Sequence, residues 1–265
     1  MKKYLLVLVF LSNNISASPL NCWETINRTK APKSFVLAMG ANTKGLKMSN
    51  FDAQSFAKGI QKRFRIPSSN ICVLKNVKLW EFEYALERLA TLVHQQDQVF
   101  IYFSGHGAKL VDNSGDEKDC YDEAFVTVHY SGKGIEFLSD DAFIYLVNKL
   151  KTNKIITVID TCFAGGLLRG TCPYTKSKFL KSTKNKHKVC KVKTRKPKLL
   201  KGTLYAAAKE DQAAWELADG GLFTSTFLKY MKKYPYFSLR NIYKLTKKEA
   251  AAFIYKYRCK NSVLQ

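Results

Sequence analysis

Two short stretches of this sequence pair a reactive side chain with the small residues that chemistry at a peptide bond requires. SGHG places His106 before Gly107, and DTCFAGG places Asp160 and Cys162 before Gly165 and Gly166. A thiol attacks a carbonyl as its thiolate, and a neighbouring imidazole can take that proton and later return it to a leaving amine. Glycine beside each group lets a peptide backbone come close. The amides of Gly107 and Cys162 are then candidate donors to the oxygen that gains negative charge. These residue types predict acyl transfer by a Cys162/His106 dyad. His94, His129 and His187 have no such setting and read as surface or structural histidines. Cys172, His187 and Cys190 are a weak metal triad, because their spacing fits no zinc pattern.

Both stretches follow apolar runs, and that placement gives them a common address. Ser34–Met39, Ile71–Leu74, Gln98–Phe103, Ile155–Ile159 and Thr203–Ala207 are rich in β-branched and aromatic residues and read as buried strands. Between them, Phe51, Phe56, Ile60 and Phe64 recur at helical spacing, as do Phe82, Leu86, Leu89 and Val93, and Phe143, Leu146, Val147 and Leu150. Two further helices, around Leu222–Met231 and Leu239–Tyr257, close the chain. Alternating strand and helix predicts an α/β fold with a mainly parallel sheet sandwiched by helices. In such a sheet ligands bind beyond the carboxyl ends of the strands. Two neighbouring strands would present the imidazole and the thiol at one rim.

The rest of the composition describes a folded domain with attachments. The chain has 265 residues, of which 46% are hydrophobic and 25% charged, so wholesale disorder and a disulfide-only miniprotein are both excluded. Lys2 and Lys3 precede the apolar run Tyr4–Leu11 and then small polar residues, the pattern of a signal peptide cut after Ala17. The run is far shorter than the roughly 20 apolar residues of a spanning helix. Export to a periplasm or the cell exterior is therefore expected, with no transmembrane span. Removing residues 1–17 leaves a formal charge of +21 and seven cysteines, which in an exported protein read as pairs plus one working thiol. Two segments break the strand and helix rhythm. Residues 112–123 hold six carboxylates, and residues 170–201 hold twelve Lys or Arg and no acid. The basic segment is too polar for a core and is predicted to be an exposed insertion.

Beyond the dyad, the sequence resembles the caspase-like cysteine peptidases, specifically the metacaspases and their bacterial relatives, the orthocaspases. YFSGHG and the later DTCFAGG look like that family's His and Cys motifs. LKMSNFDAQSF, GDEKDCYDEAF, FLSDDAF and TLYAAAKEDQAAWELADGGLFTSTFL look like its helix entry, acidic loop, paired aspartates and small-subunit start. The resemblance runs from about Ser34 to Met231. It implies a caspase-like (caspase-haemoglobinase) domain over residues 34–265, after a signal peptide at 1–17 and an extension at 18–33. Within it lie a large-subunit-like region at 34–169, a basic linker at 170–201 and a small-subunit-like region at 202–265.

Carried over by position, the resemblance makes His106 the general base, Cys162 the nucleophile, and Asp52 and Asp160 the walls of the first specificity pocket. Two carboxylates there favour Lys or Arg before the cut bond. Asp52 also suits the start of a helix, and Asp160 the orientation of a loop. Asp122, Asp140 and Asp141 are candidate oxygen ligands for calcium as an activator, although Arg169 stands where a further acid is expected; the chemistry itself requires no cofactor. The basic linker lies beside a pocket for basic residues, which predicts self-cleavage between Thr171 and Lys201. Expected partners are protein or peptide substrates with basic residues, and the enzyme is expected to be a monomer. The competing reading is a non-catalytic caspase-like module that binds nucleic acid or another polyanion through residues 170–201.

Overall fold

The computed structural model describes residues 18–24, 26, 31–111, 121–162, 176–178, 180, 199–208 and 214–257. Five strands form the central sheet: β1 (Ser34–Gly40), β2 (Ile71–Lys75), β3 (Gln98–Ser104), β7 (Ile155–Asp160) and β9 (Thr203–Ala206). Their order is β2-β1-β3-β7-β9, and every pairing is parallel. These are the five runs read from the sequence, with ends moved by one residue. The near-continuous burial of the three central strands, β1, β3 and β7, follows from helices on both faces.

One face carries α1 (Ser49–Phe64), α4 (Leu222–Lys233) and α5 (Leu239–Lys256). The other carries α2 (Leu79–Leu92) and α3 (Asp140–Asn148). Phe56 on α1 stacks on Tyr102 of β3 with ring centroids 4.3 Å apart, and both are fully buried. On the opposite face Phe82, Phe103, Phe125 and Phe143 pack edge and face around one another. Burying each such ring stabilises the fold by about 1.5–3 kcal/mol. The expected core face of α1 needs correction at its two ends: Phe51 and Phe64 are 52% and 37% exposed, and Ala53, Ala57 and Ile60 pack inward with Phe56.

Two small antiparallel sheets stand outside the parallel one and were not expected from the sequence. The first joins β4 (Gly107–Val111), β5 (Tyr121–Val128) and β6 (Ile135–Ser139) in that order. The second joins β8 (Lys176–Ser177), β10 (Trp215–Leu217) and β11 (Gly220–Gly221) in the order β11-β10-β8. β8 corrects the reading of residues 170–201 as a wholly exposed insertion. Part of the basic segment is a paired strand, and Lys178 immediately after it is fully buried.

The N-terminal extension is tied to the back of the sheet. Cys22 and Cys72 form a disulfide across 50 residues, and the buried Trp23 donates its indole N–H to the Asn70 carbonyl at 3.1 Å. The expectation of paired cysteines with one thiol left over is met within the described residues: Cys162 is the free cysteine there. Cys120, Cys172, Cys190 and Cys259 lie outside the described residues, as does the candidate metal residue His187. The double variant Cys22→Ser/Cys72→Ser should be less stable by about 2–4 kcal/mol, because the crosslink restricts the unfolded chain. Urea unfolding of both proteins under non-reducing conditions measures the difference.

Candidate active site

β1, β3 and β7 end in register, with Gly40 opposite Ser104 and Ser104 opposite Asp160. Those three ends form the rim where the candidate residues gather. His106 lies two residues past β3 and Cys162 two residues past β7. The His106 carbonyl accepts from the Val126 N–H of β5 at 3.0 Å, so the small antiparallel sheet fixes the loop that carries the imidazole. Gly107 passes so close to the cysteine that a Cβ there would lie 1.8 Å from the Cys162 carbonyl oxygen. No other residue fits this contact without moving backbone.

Asp52 comes to the same rim from the first turn of α1 and is 2% exposed. It therefore begins a helix and lines the pocket at once. Gly221, the N-cap of α4, donates its N–H to both Asp52 carboxylate oxygens at 2.9 and 3.1 Å. Thr224 donates its N–H and hydroxyl to Asp160 Oδ2 at 3.2 and 2.6 Å. The start of a helix thus faces two buried carboxylates, where its unpaired N–H groups and positive dipole end favour negative charge. A Cβ on Gly221 would lie 2.1 Å from Asp160 Oδ2, so this glycine is what leaves the pocket open.

The pocket holds a side chain of the chain itself. The Lys178 ammonium lies 3.3 Å from Asp52 Oδ2, 3.1 Å from Asp160 Oδ1, 2.8 Å from Ser104 Oγ and 3.2 Å from the Asp160 carbonyl oxygen. Ser104 in turn donates to Asp52 Oδ2 at 2.9 Å. Burial alone would push the Lys178 ammonium down, but Asp160 and Asp52 more than offset it and hold it above the usual lysine range. Burial pushes the Asp52 carboxyl up, against the pull of Lys178 beside it.

The backbone of the same segment runs through the site as an added strand. Ser177 and Lys176 pair antiparallel with Trp215 and Glu216 of β10, and the Lys178 N–H donates to the Ala214 carbonyl at 3.0 Å. The Lys178 carbonyl accepts from the Gly107 N–H at 2.8 Å, and the Leu180 N–H donates to the Gly107 carbonyl at 2.9 Å. One of the two expected amide donors, Gly107, is therefore on the Lys178 carbonyl.

The thiol and imidazole are both withdrawn from water. Cys162 is fully buried, accepts the Ala214 N–H at 2.7 Å, and lies 3.9 Å from the Ser177 hydroxyl. Burial pushes its thiol up to about 12. Burial also lowers His106, while the backbones of Lys178 and Lys44 pull the other way. Neither ring nitrogen of His106 has a hydrogen-bond partner among the described residues. The pair in this state is a thiol and a neutral imidazole.

The structure thus gathers His106, Gly107, Cys162, Asp52 and Asp160 at one rim. Asp122, Asp140 and Asp141 lie elsewhere, on β5 and at the start of α3. Burial and the nearby Glu123 and Asp122 push Asp140 up to about 7. Among the described residues, no group of three or more His, Cys, Asp or Glu is placed to hold a metal ion. Residues 112–120 of the acidic loop, and Arg169, fall outside the described residues. The sequence reading missed Ser104, Gly221, Thr224 and the role of Lys178. Each of the first three carried a signal, since Ser104 stands in the SGHG motif and Gly221 and Thr224 in the small-subunit-start stretch, whereas Lys178 lies in no quoted motif.

Against this geometry, residues 33–261 match the caspase-domain peptidase family. Metacaspase-1 of Plasmodium falciparum is 28% identical over 144 residues, covering 51% of this chain and 22% of that protein. Metacaspase-1B of Aspergillus oryzae is 35% identical over 85 residues, covering 32% and 20%. This chain spans between a fifth and a quarter of the length of such relatives. Among solved structures, a structural-genomics protein from Geobacter sulfurreducens superposes with a TM-score of 0.61 at 20% identity, covering 82% of this chain and 89% of that one. Caspase-1 from Spodoptera frugiperda superposes with a TM-score of 0.50 at 11% identity, covering 85% and 82%. These two likenesses show the fold.

A thiol pushed up to about 12 is almost entirely protonated at pH 8. Iodoacetamide should therefore modify Cys162 on the order of 10²–10³-fold more slowly than a free cysteine near pH 8, with a rate that keeps climbing to pH 11 where that of a free cysteine levels off above about pH 9. Peptide mapping of the alkylated protein across pH 7–11 measures it; labelling of Cys162 at the free-thiol rate would contradict the burial described.

Proposed function

The chain belongs to the caspase-domain family of cysteine peptidases, and from that premise we propose that it is a cysteine endopeptidase that cuts after Lys or Arg and processes itself at Lys178. The observation that carries this reading is the Lys178 side chain between Asp52 and Asp160, with its carbonyl on the Gly107 amide. An extended segment paired to a sheet edge is a common way for a protein to hold a peptide. A cationic head met by two carboxylates gives that mode its selectivity.

The proposed chemistry uses residues already at the rim. His106 takes the Cys162 proton as the sulfur attacks the Lys178 carbonyl carbon, and the Gly107 N–H holds the oxygen that becomes negative. Collapse of the tetrahedral intermediate breaks the bond to the Phe179 nitrogen, which leaves with the proton from His106. Water, deprotonated by His106, then hydrolyses the thioester and frees Cys162 with a Lys178 carboxylate. The lowered His106 suits this role, since only a neutral imidazole can accept the first proton. The raised Cys162 means that deprotonation accompanies attack and does not precede it.

Export is proposed as well. The Cys22–Cys72 disulfide lies a few residues after the expected signal-peptide cut and belongs to an oxidising compartment. No helix among the described residues is long and apolar enough to cross a membrane. Calcium enters the proposal only as an added arm of the assay. A polyanion-binding module accounts less well for a Lys178 ammonium turned away from solvent.

Incubation of the purified chain should yield a fragment beginning at Phe179, and neither Cys162→Ala nor Lys178→Gln should yield it; terminal sequencing reads the outcome. On fluorogenic peptides ending in Lys or Arg, assayed under reducing conditions with and without calcium, Asp160→Asn should lose about 10²-fold in kcat/KM, the cost of breaking a buried ion pair. Silence on every peptide from a folded protein with a free thiol would remove the peptidase reading and leave the polyanion module. Exported protein should begin at Ser18, which intact mass measures.

A further inference from the structure

Glu216 is 4% exposed and was given no role of its own within the small-subunit-start stretch that contains it. Its two carboxylate oxygens accept from the backbone N–H groups of Lys47 and Met48, each at 2.9 Å. Those amides lead into α1, whose N-cap residue Met48 makes no side-chain capping bond of its own. Helix N-termini leave N–H groups that need acceptors. Glu216 supplies them from the far side of the chain, as a charged acceptor whose hydrogen bonds are about twice as strong as neutral ones.

The backbone of Glu216 ties it to the rest of the pocket. In β10 it pairs with Lys176 of the inserted segment on one side and with Gly221 on the other. Gly221 donates to Asp52, and Asp52 stands one turn into the helix whose start Glu216 holds. The loop before that helix is in contact with the inserted segment too, since Lys176 Nζ donates to the Gly45 carbonyl at 2.6 Å. The peptide-pairing strand and the helix that delivers a pocket carboxylate therefore meet at one side chain. We propose that Glu216 is a positioning residue for the peptide site: it fixes α1 against β10, so that a lysine paired to β10 finds Asp52 under its ammonium.

This deepens the peptidase reading and rests on it only in treating the inserted segment as a stand-in for substrate. Glu216→Gln keeps the shape but offers one acceptor oxygen where two are used, and turns an amide N–H₂ toward a backbone N–H. The start of α1 should shift, and Lys178 should lose its fit. The experiment uses the full chain carrying Cys162→Ala, so that no self-cleavage intervenes. Trypsin can cut after Lys178 only when that lysine leaves the pocket, and its rate follows the open population. Cutting at Lys178 should accelerate at least about 10-fold on adding Glu216→Gln, while cutting at the exposed Lys133 stays unchanged.

Glu216→Asp, which keeps the charge and shortens the reach, should give a smaller rise in the same direction, and it carries the test if Glu216→Gln does not fold. Unchanged protection of Lys178 in both variants overturns the proposal. So does an equal acceleration at Lys133, which would mean general loosening of the fold. Because trypsin reads only the inactive chain, a wild type that cleaves no peptide would sink the peptidase reading and leave this result intact.

Discussion

The Lys178 ammonium, fully buried between two buried carboxylates, is the interaction on which the site depends. Removing an ammonium from water costs several kcal/mol even after relaxation, and attraction offsets that only where the remaining donors and acceptors are met. Here they are met closely. Ser104 Oγ and the Asp160 carbonyl complete the shell of the cation, while Ser104, Gly221 and Thr224 donate to the carboxylates. These groups come from four elements: the ends of β3 and β7, the start of α1 and the start of α4. The parallel sheet sets their spacing through its register, and the glycine at 221 sets how near α4 can come. Take the cation away and Asp52 faces Asp160 without the charge that offsets it, which raises the cost of charging Asp52. The pocket is thus built around a positive charge.

Much of this was legible in the sequence, and the reasons are local. The three central strands could be read because burial on both faces makes each a nearly unbroken apolar run, from FVLAM to IITVI, and the partly buried edge strands β2 and β9 from their short β-branched or aromatic runs. His106 and Cys162 could be read because glycines flank them just beyond such runs. β4 and β5 could not: β4 begins at Gly107 inside the motif itself, and β5 opens on Tyr121, Asp122 and Glu123 at the end of an acidic stretch, where composition points to a loop. Lys178 was hidden for a different reason. It is one of twelve basic residues in a segment without acids, and any average over that segment predicts exposure. Its burial is decided by a pocket whose walls lie 74 and 126 residues away in the sequence, at Ser104 and Asp52. Glu216 shows the same limit. A single acid after a tryptophan carries no periodicity, and only the fold brings it to the start of α1.

The burial that raises Cys162 also bears on how such a thiol persists. Thiol–disulfide exchange runs through the thiolate, so a thiol pushed up to about 12 presents almost none of the reactive form near neutral pH. In an oxidising compartment an exposed, acidic cysteine reacts readily with disulfides or with oxidants. Cys162 lies under Ser177 and the Ala214 amide, and the disulfide that the described residues do form joins Cys22 to Cys72 behind the sheet. The inserted segment therefore has two physical consequences at the same place: it brings a carbonyl onto the Gly107 amide beside the thiol, and it withholds that thiol from solvent. That protection follows from desolvation, because low dielectric disfavours a thiolate and an imidazolium in the buried site.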